Sequence, residues 1–518
     1  MTRVACPAMD TNPSLPDGNP AQPAGAADRE HAIDALRGFA LLGIAMVNAG
    51  SFASTYFGVG VSDPAFSRPV DHAVRWFVAL VFETKFYLLF SLLFGYSFAL
   101  QMDSAQRSGG AFVPRFLRRL LGLGLLGLAH AWLLFAGDIL VTYALLGLVL
   151  LALGRLRPVA AVALALGLLG ITAWGWGAIA WLMALAPPLD LPVAELHAKA
   201  QQAAQAYRAS VQEAIAQRGR DMADGVWFVL VFVQGPCALA MFLLGLAARR
   251  SGYLARVARQ PARLRRWMAC CLPVGAAGAW FYASVQPGAS SVTHPEHLGL
   301  AALAVDLATA PFLTFGYVAA LLWLLQSGPA GRRLGAVLEP AGRMALSNYL
   351  LQSLVGALVF TAYGWALVGQ VAPLLVGLGV LVLYGAQLAL SRHWMAAPPM
   401  ARWSGCCAPS RSGSGRHGGA ARADGESAHG GRGDAGRPRP AVLVQRARKS
   451  RSANSVSSGA SVIWLWPTGR GATCTVLPAV RAALTRPCAA LGAVIWSCAP
   501  SANSTGQVSW AMAASPPP

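Results

Sequence analysis

Only three of the 518 residues are lysine, and charged residues of every kind make up 12% of the chain. Soluble globular chains carry about 25%, so there is too little charge to coat a water-facing surface, and a soluble globular protein is excluded. The nine cysteines include no Cys-x-x-Cys pair and no zinc-type spacing. That leaves neither a disulfide framework nor a metal cage. His294, Glu296 and His297 form a small loop cluster, but two imidazoles and one carboxylate are too few to indicate a metal site. No Gly-x-x-x-x-Gly-Lys-Ser/Thr loop is present, so the chain carries no ATP-driven pump signature of its own. The Gly-x-Ser-x-Gly elbow and the His-Glu-x-x-His pair are missing as well. No repeat of roughly 20–50 residues is visible, which removes solenoids and propellers.

What is abundant is apolar. Hydrophobic residues reach 55%, with a mean hydropathy of +0.49. Between residues 35 and 390 long apolar stretches alternate with short polar ones. A hydrocarbon core of ~30 Å needs about 20 helical residues to cross it, and open strands would leave backbone groups unpaired in lipid. The expected fold is all-α, a polytopic transmembrane helix bundle in a lipid bilayer. About ten spans are expected, at 36–56, 74–102, 117–136, 138–154, 159–184, 225–248, 267–286, 299–326, 344–363 and 366–390. The second is expected to break near Glu83–Lys85.

The net charge of +20 is unevenly divided. Residues 1–400 hold 27 basic and 18 acidic side chains, while residues 401–518 hold 14 and 3. A pI near 10.3 would point to nucleic acid in a soluble protein. Here the basic groups flank apolar segments, so no nucleic-acid partner is expected. Arg107, Arg115, Arg118 and Arg119 precede the third span, and Arg155 and Arg157 follow the fourth. Arg249 to Arg266 separate the sixth from the seventh, and Arg332 and Arg333 precede the ninth. All fall on one side when the spans alternate. The positive-inside rule then makes that side, and both termini, cytoplasmic. Segment 185–224, near neutral in charge, becomes an outer, partly helical loop. Residues 1–30 read as a disordered leader without the apolar core of a signal peptide.

Ionisable and amide groups inside the spans are the candidate functional residues, because each costs on the order of 2.5–3.5 kcal/mol to insert. Asp34 and Arg37 share a helix face at the start of the first span. They are either interfacial charges, with Arg37 snorkelling, or an inward pair that binds an anionic group. Asn48 lies on the same face three turns deeper, as substrate contact or as helix-to-helix glue. Lys85 is the sharpest outlier, with Glu83 or Asp138 as candidate partners, unless it snorkels from a kink. His130 in the third span is a candidate general base or a satisfied structural donor. Asp138 and Tyr143 follow on the next turn and span. The ninth span opens at Gly342-Arg343, and Ser347, Asn348 and Gln352 supply a polar ribbon on it, binding substrate or bonding neighbouring helices.

Several of these residues sit in runs that resemble a known family. Leu36-Arg37-Gly38-Phe39-Ala40-Leu41-Leu42-Gly43-Ile44 with Asn48, Lys85-Phe86-Tyr87, His130, Ala136-Gly137-Asp138-Ile139-Leu140 and Gly342-Arg343-Met344-Ala345-Leu346-Ser347-Asn348-Tyr349 are similar to the YeiB-like bacterial membrane proteins, domain-of-unknown-function family 418. The resemblance covers residues 31–395 and implies a bacterial inner-membrane location. The opening Asp34, Arg37 and Asn48 also resemble the start of membrane acyltransferases of the acyltransferase-3 and heparan-glucosaminide acetyltransferase types. In the former a His commonly follows the Arg by eleven residues; here that place is Asn48, as in the glucosaminide type.

The family resemblance also implies a Gly-Pro-Leu-Glu-Trp-Leu-Leu-Arg-like ending, and residues 401–408 permit it when their codons are read one base back. Residues 396–518 are therefore expected to be a low-complexity, disordered basic tail, either arising from a shifted frame or a genuine tail that touches anionic lipid or RNA. Sequencing the gene across codons 390–410 is expected to reveal the shift, and an unbroken frame with unrelated bases there removes the idea.

Two functions follow as expectations. In the first, acyl-CoA is a co-substrate, with no bound cofactor. The acyl group passes to a sugar or similar acceptor, with His130 as base and Lys85 or Asn48 polarising the carbonyl oxygen. In this reading Asp34, Arg37, Asp138, Tyr143, Arg343, Asn348 and Gln352 bind substrate. In the second, the chain is a secondary transporter of a small solute. A structural membrane protein is the third possibility. Neither the small-molecule substrate nor the oligomeric state can be read from the sequence.

Overall fold

Apolar runs rich in Leu, Ala and Val become helices whose starts are often set by proline, which tolerates the first helical turn because its missing N–H is not needed there. Pro69, Pro158 and Pro261 open three of them. The computed structural model describes residues 24–186, 192–286 and 294–396, with short strands at 464–466 and 472–474. In chain order the helices are α1 (Ala24–Ala53), α2 (Pro69–Val81), α3 (Lys85–Arg107), α4 (Phe112–Leu133), α5 (Leu140–Leu153), α6 (Pro158–Leu185), α7 (Val193–Ala209), α8 (Val211–Asp221), α9 (Trp227–Val229), α10 (Gly235–Arg250), α11 (Tyr253–Ala258), α12 (Pro261–Val285), α13 (Glu296–Leu325), α14 (Gly328–Arg343), α15 (Ala345–Phe360) and α16 (Pro373–Ala396). Two π-helical stretches, Met222–Val226 and Leu230–Gln234, join α8 to α10 in one long run.

The chain divides into two units, Met1–Ser412 and Gly413–Pro518. The first is the all-α bundle. In the second, Trp464–Trp466 pairs antiparallel with Ala472–Cys474. The rest of the expected basic tail, and residues 1–23 of the expected leader, lie outside the described residues; residues 24–30, expected to be disordered with that leader, instead begin α1.

Among the described residues eight helical runs are long and apolar enough to cross a bilayer, which makes this an integral membrane protein. The expected fourth and ninth spans are the shorter apolar helices α5 and α15, of 14 and 16 residues. At 1.5 Å per residue they reach about 21 and 24 Å, short of a ~30 Å core. The second span breaks where its charges predict, at Phe82–Thr84, and Thr84 has φ +66°, a strained value for a β-branched residue. The tenth begins at Pro373 rather than at 366. The preceding residues fold back instead, with Val368 N donating to Phe360 O at 3.0 Å and Gly369 N to Ala53 O at 2.8 Å.

Inside the bundle α3 packs along α10, α12 along α13, and α6 against both α10 and α13. Two contacts gather the basic loops at one end: Arg249 pairs with Asp103 at 2.8 Å, and Arg250 donates to Leu156 O at 2.6 Å. The opposite end is closed by α7 and α8. There Thr55 Oγ1 donates to Ala200 O at 2.8 Å, and Ala362 N donates to Tyr207 O at 2.8 Å.

Residues 327–343, expected to be a loop between two spans, instead hold the whole of α14, a helix laid along α1. The contact is possible only without side chains. A methyl group on Gly342 would stand 1.7 Å from the Asp34 carbonyl oxygen, and one on Gly38 2.2 Å from that of Leu338. Gly342→Ala should therefore cost about 1–3 kcal/mol by overpacking, despite the better helix propensity of Ala. Thermal unfolding in detergent checks this, and an unchanged midpoint would contradict the close crossing.

Candidate functional site

At the arginine-rich end, the α1–α14 crossing assembles a charged cluster. Asp34 Oδ1 pairs with Arg37 Nη1, and Asp34 Oδ2 lies 3.4 Å from Arg343 Nε. Arg343 also pairs with Glu339, which contacts His31, and Arg37 Nη2 donates to Ser97 Oγ on α3. The expected trio Asp34, Arg37 and Arg343 is thus brought together. His31, Ser97 and Glu339 complete it. Two guanidinium groups within one partly buried cluster are a suitable receiver for phosphate oxygens.

At the other end, α4 has two distinct faces. Leu121, Leu125, Leu128 and Trp132 are exposed, while Phe116, Leu120, Gly127 and His130 are buried. The helical period alone therefore turns His130 inward. Its Nδ1 stands 2.8 Å from Asp138 Oδ1, and both side chains are buried. Asp138 Oδ2 accepts from Val141 N at 3.0 Å, capping the first turn of α5. Tyr349 donates to Asp138 Oδ1 at a long 3.5 Å, and its ring centroid lies 5.1 Å from that of His130. Both His130 ring nitrogens are buried and neither makes an aligned hydrogen bond among the described residues, although Nδ1 stands within ion-pair distance of Asp138. An imidazole beside a carboxylate, with nothing bonded to its Nε2, is arranged to take a proton.

Asn48 lies one turn before Phe52, which stacks on Phe135 at 4.7 Å. The Phe135 ring is 6.4 Å from His130. Asn48 is half-buried and makes no side-chain hydrogen bond among the described residues, so it borders the His130 end without touching the pair.

One expectation requires correction. Lys85 meets neither Glu83 nor Asp138; its Nζ lies 3.0 Å from Asp306 Oδ1, with both side chains fully buried. It also donates to Ala79 O at 3.1 Å, and Glu83 is taken by Tyr282. The reason is geometric: the break at Phe82–Thr84 starts α3 at Lys85 and aims the side chain at α13, not at α4. Tyr143, expected to bind substrate, is hydrogen-bonded to α3. Its hydroxyl bonds Ser91 Oγ at 2.6 Å and donates to Tyr87 O at 3.1 Å, tying α5 to α3.

Asn348 and Gln352 of the polar ribbon are hydrogen-bonded to the neighbouring helix. Asn348 Nδ2 donates to Ser391 Oγ at 3.0 Å, Gln352 Nε2 to Gln387 Oε1 at 2.9 Å, and Gln387 Nε2 to Asn348 O at 2.9 Å. These bonds glue α15 to α16.

The comparisons agree with these motifs. The family described as "Protein of unknown function (DUF418)" matches residues 248–398. The chain is 31% identical over 401 residues to "Uncharacterized protein YxaH" of Bacillus subtilis (strain 168), covering 72% of this chain and 92% of that protein. It belongs to the YeiB-like DUF418 family. A second DUF418-type relative, "Uncharacterized protein YeiB" of Escherichia coli (strain K12), is 28% identical over 369 residues, covering 65% of this chain and 85% of its own length. An uncharacterized 39.9 kDa protein of Bacillus acidopullulyticus is 29% identical, covering 71% and 89%. No solved structure matches the chain.

Sequence reasoning missed Asp306 and Arg218. Asp306 carried a signal, since it is a lone carboxylate in an apolar run just as Lys85 is a lone amine. Arg218 carried none, because its neighbours in sequence are polar and only tertiary packing buries it to 3% exposure.

Proposed function

We propose that this protein transfers an acyl group within the membrane, from a phosphate-bearing donor such as acyl-CoA to a hydroxyl or amine acceptor, for instance on a sugar. The observation that carries this reading is the buried His130, whose Nδ1 faces Asp138 and whose Nε2 is unpartnered. His130 takes the acceptor's proton as the acceptor attacks the acyl carbonyl; the thioester C–S bond breaks, and the departing thiolate takes that proton back from the His130 imidazolium and leaves as the donor's free thiol. The donor's phosphates dock on Arg37 and Arg343. Arg37 and Phe52 are fifteen residues apart on α1, about 22 Å along the helix, so the donor must reach the base through a long flexible arm. Asn48, unpartnered and near that end, is placed to bond the carbonyl oxygen. The basic loops face the cytoplasm in this reading, and the bilayer is the bacterial inner membrane.

Purified protein in lipid, given labelled acetyl-CoA and candidate acceptors, is expected to transfer label, and His130→Ala to abolish the transfer. Transfer undiminished in His130→Ala would sink this reading.

One observation favours a second reading. A fully buried Lys85–Asp306 pair in mid-bundle is typical of proton or ion relays, which would make the protein a carrier. Solute flux into proteoliposomes without label transfer, lost in Asp306→Asn, would support the carrier instead.

A further inference from the structure

Arg218 lies near the end of α8 and is 3% exposed. Its Nε donates to Leu134 O at 3.1 Å, just past the end of α4. The guanidinium packs over the rings of Tyr363 at 5.1 Å and Tyr207 at 5.6 Å. Its Nη1 and Nη2 are buried without a well-aligned hydrogen-bond acceptor among the described residues; the Tyr363 hydroxyl is buried in the same way and lies close enough to interact with the guanidinium. The nearest carboxylate in sequence is already engaged: Asp221 accepts from Tyr207 at 2.5 Å and from Gln217 at 2.7 Å. Burial pushes the Tyr363 hydroxyl up, against the opposing pull of Arg218, so it stays a proton donor.

A buried, permanently charged group that makes no salt bridge among the described residues is a receiver for an anion. Directly after α8, Gly225 in the first π-helical stretch has φ +152°, a value readily adopted only by glycine. This is a natural hinge for the α7–α8 arm that covers the site.

We propose that Arg218 Nη1 and Nη2, with the Tyr363 hydroxyl, bind a phosphate group admitted when the α7–α8 arm lifts about Gly225. Several donors on two side chains suit the multiple oxygens of phosphate. The site lies at the end opposite the arginine-rich loops, so the phosphate is either that of a lipid headgroup or that of a soluble ligand. The assignment does not depend on whether the protein is an acyltransferase or a carrier.

The test uses the full chain in dodecyl maltoside, a detergent without phosphate. Thermal midpoints are followed against inorganic phosphate at constant ionic strength, and separately against dihexanoyl phosphatidylglycerol. A saturable rise with either probe is expected, whose apparent affinity falls about tenfold or more in Arg218→Gln and by a smaller factor in Tyr363→Phe. A response to phosphate identifies a soluble ligand, and a response to the lipid alone identifies a headgroup. If Arg218→Gln does not fold, Tyr363→Phe decides. No rise with either probe, or equal rises in wild type and variants, would overturn the proposal.

Discussion

Lys85→Met lowers the stability of the bundle by about 3–5 kcal/mol, the usual cost of leaving one partner of a buried ion pair alone. Met keeps the length and apolar stem of Lys85, so packing is nearly preserved and the loss falls on Asp306. That carboxylate is fully buried, and neither of its oxygens takes a further hydrogen bond among the described residues. Asp306→Leu should be comparably damaging, since Lys85 Nζ would lose its 3.0 Å partner and keep the Ala79 carbonyl, the Tyr282 ring at 5.6 Å and the more distant charge of Glu83. The double variant Lys85→Met/Asp306→Leu recovers most of the stability, because two matched apolar side chains replace a pair whose attraction only offsets its own desolvation. Denaturant or thermal unfolding of the four proteins closes the cycle. Additive losses in the double variant would mean that the two residues do not act as a pair. A stable double variant also separates architecture from transport: if it folds but loses solute flux, the pair belongs to a carrier pathway.

The sequence made the bundle legible because lipid imposes one simple rule, about 20 apolar residues per crossing, and the arginine-rich loops mark the boundaries. It also exposed the second-span break, since a Glu and a Lys two residues apart cannot both sit in an unbroken apolar helix at low cost. α14 was hidden because it is amphipathic and arginine-bearing; what makes it a packed helix is the bare backbone of Gly38 and Gly342, a property of the crossing and not of either segment. The Asp34–Arg37 half of the charged cluster was legible from its i,i+3 spacing. Glu339 and Ser97 belong to distant segments that only the fold brings near. Lys85 announced itself as an anomaly, yet its partner could not be chosen among Glu83, Asp138 and the overlooked Asp306, because side-chain direction depends on where α3 begins. Arg218 shows the opposite failure, as a local charge balance that suggests solvent conceals a buried guanidinium.

Asp138→Asn should cut acyl transfer by about 10²–10⁴-fold while leaving the fold nearly as stable as before. Asp138 has two roles, and the substitution divides them. As a cap it needs one oxygen to accept from Val141 N, which an Asn carbonyl still supplies. As the partner of His130 it needs a carboxylate at Nδ1, 2.8 Å away, to hold the imidazole with its lone pair on the unpartnered Nε2 and to stabilise the imidazolium formed after proton uptake. An amide loses the negative charge, and its NH₂ facing Nδ1 would favour the wrong tautomer. Asp138→Ala removes the cap as well and should cost about 1 kcal/mol of stability in addition. Tyr349→Phe should change the rate only a few-fold, because the hydroxyl reaches Asp138 at 3.5 Å, too long for a strong bond. Rates of label transfer set beside thermal midpoints for the three variants check the whole pattern. Retained activity in Asp138→Asn would reduce Asp138 to a helix cap and His130 to a packing residue, and the acyl-transfer reading would fall with them.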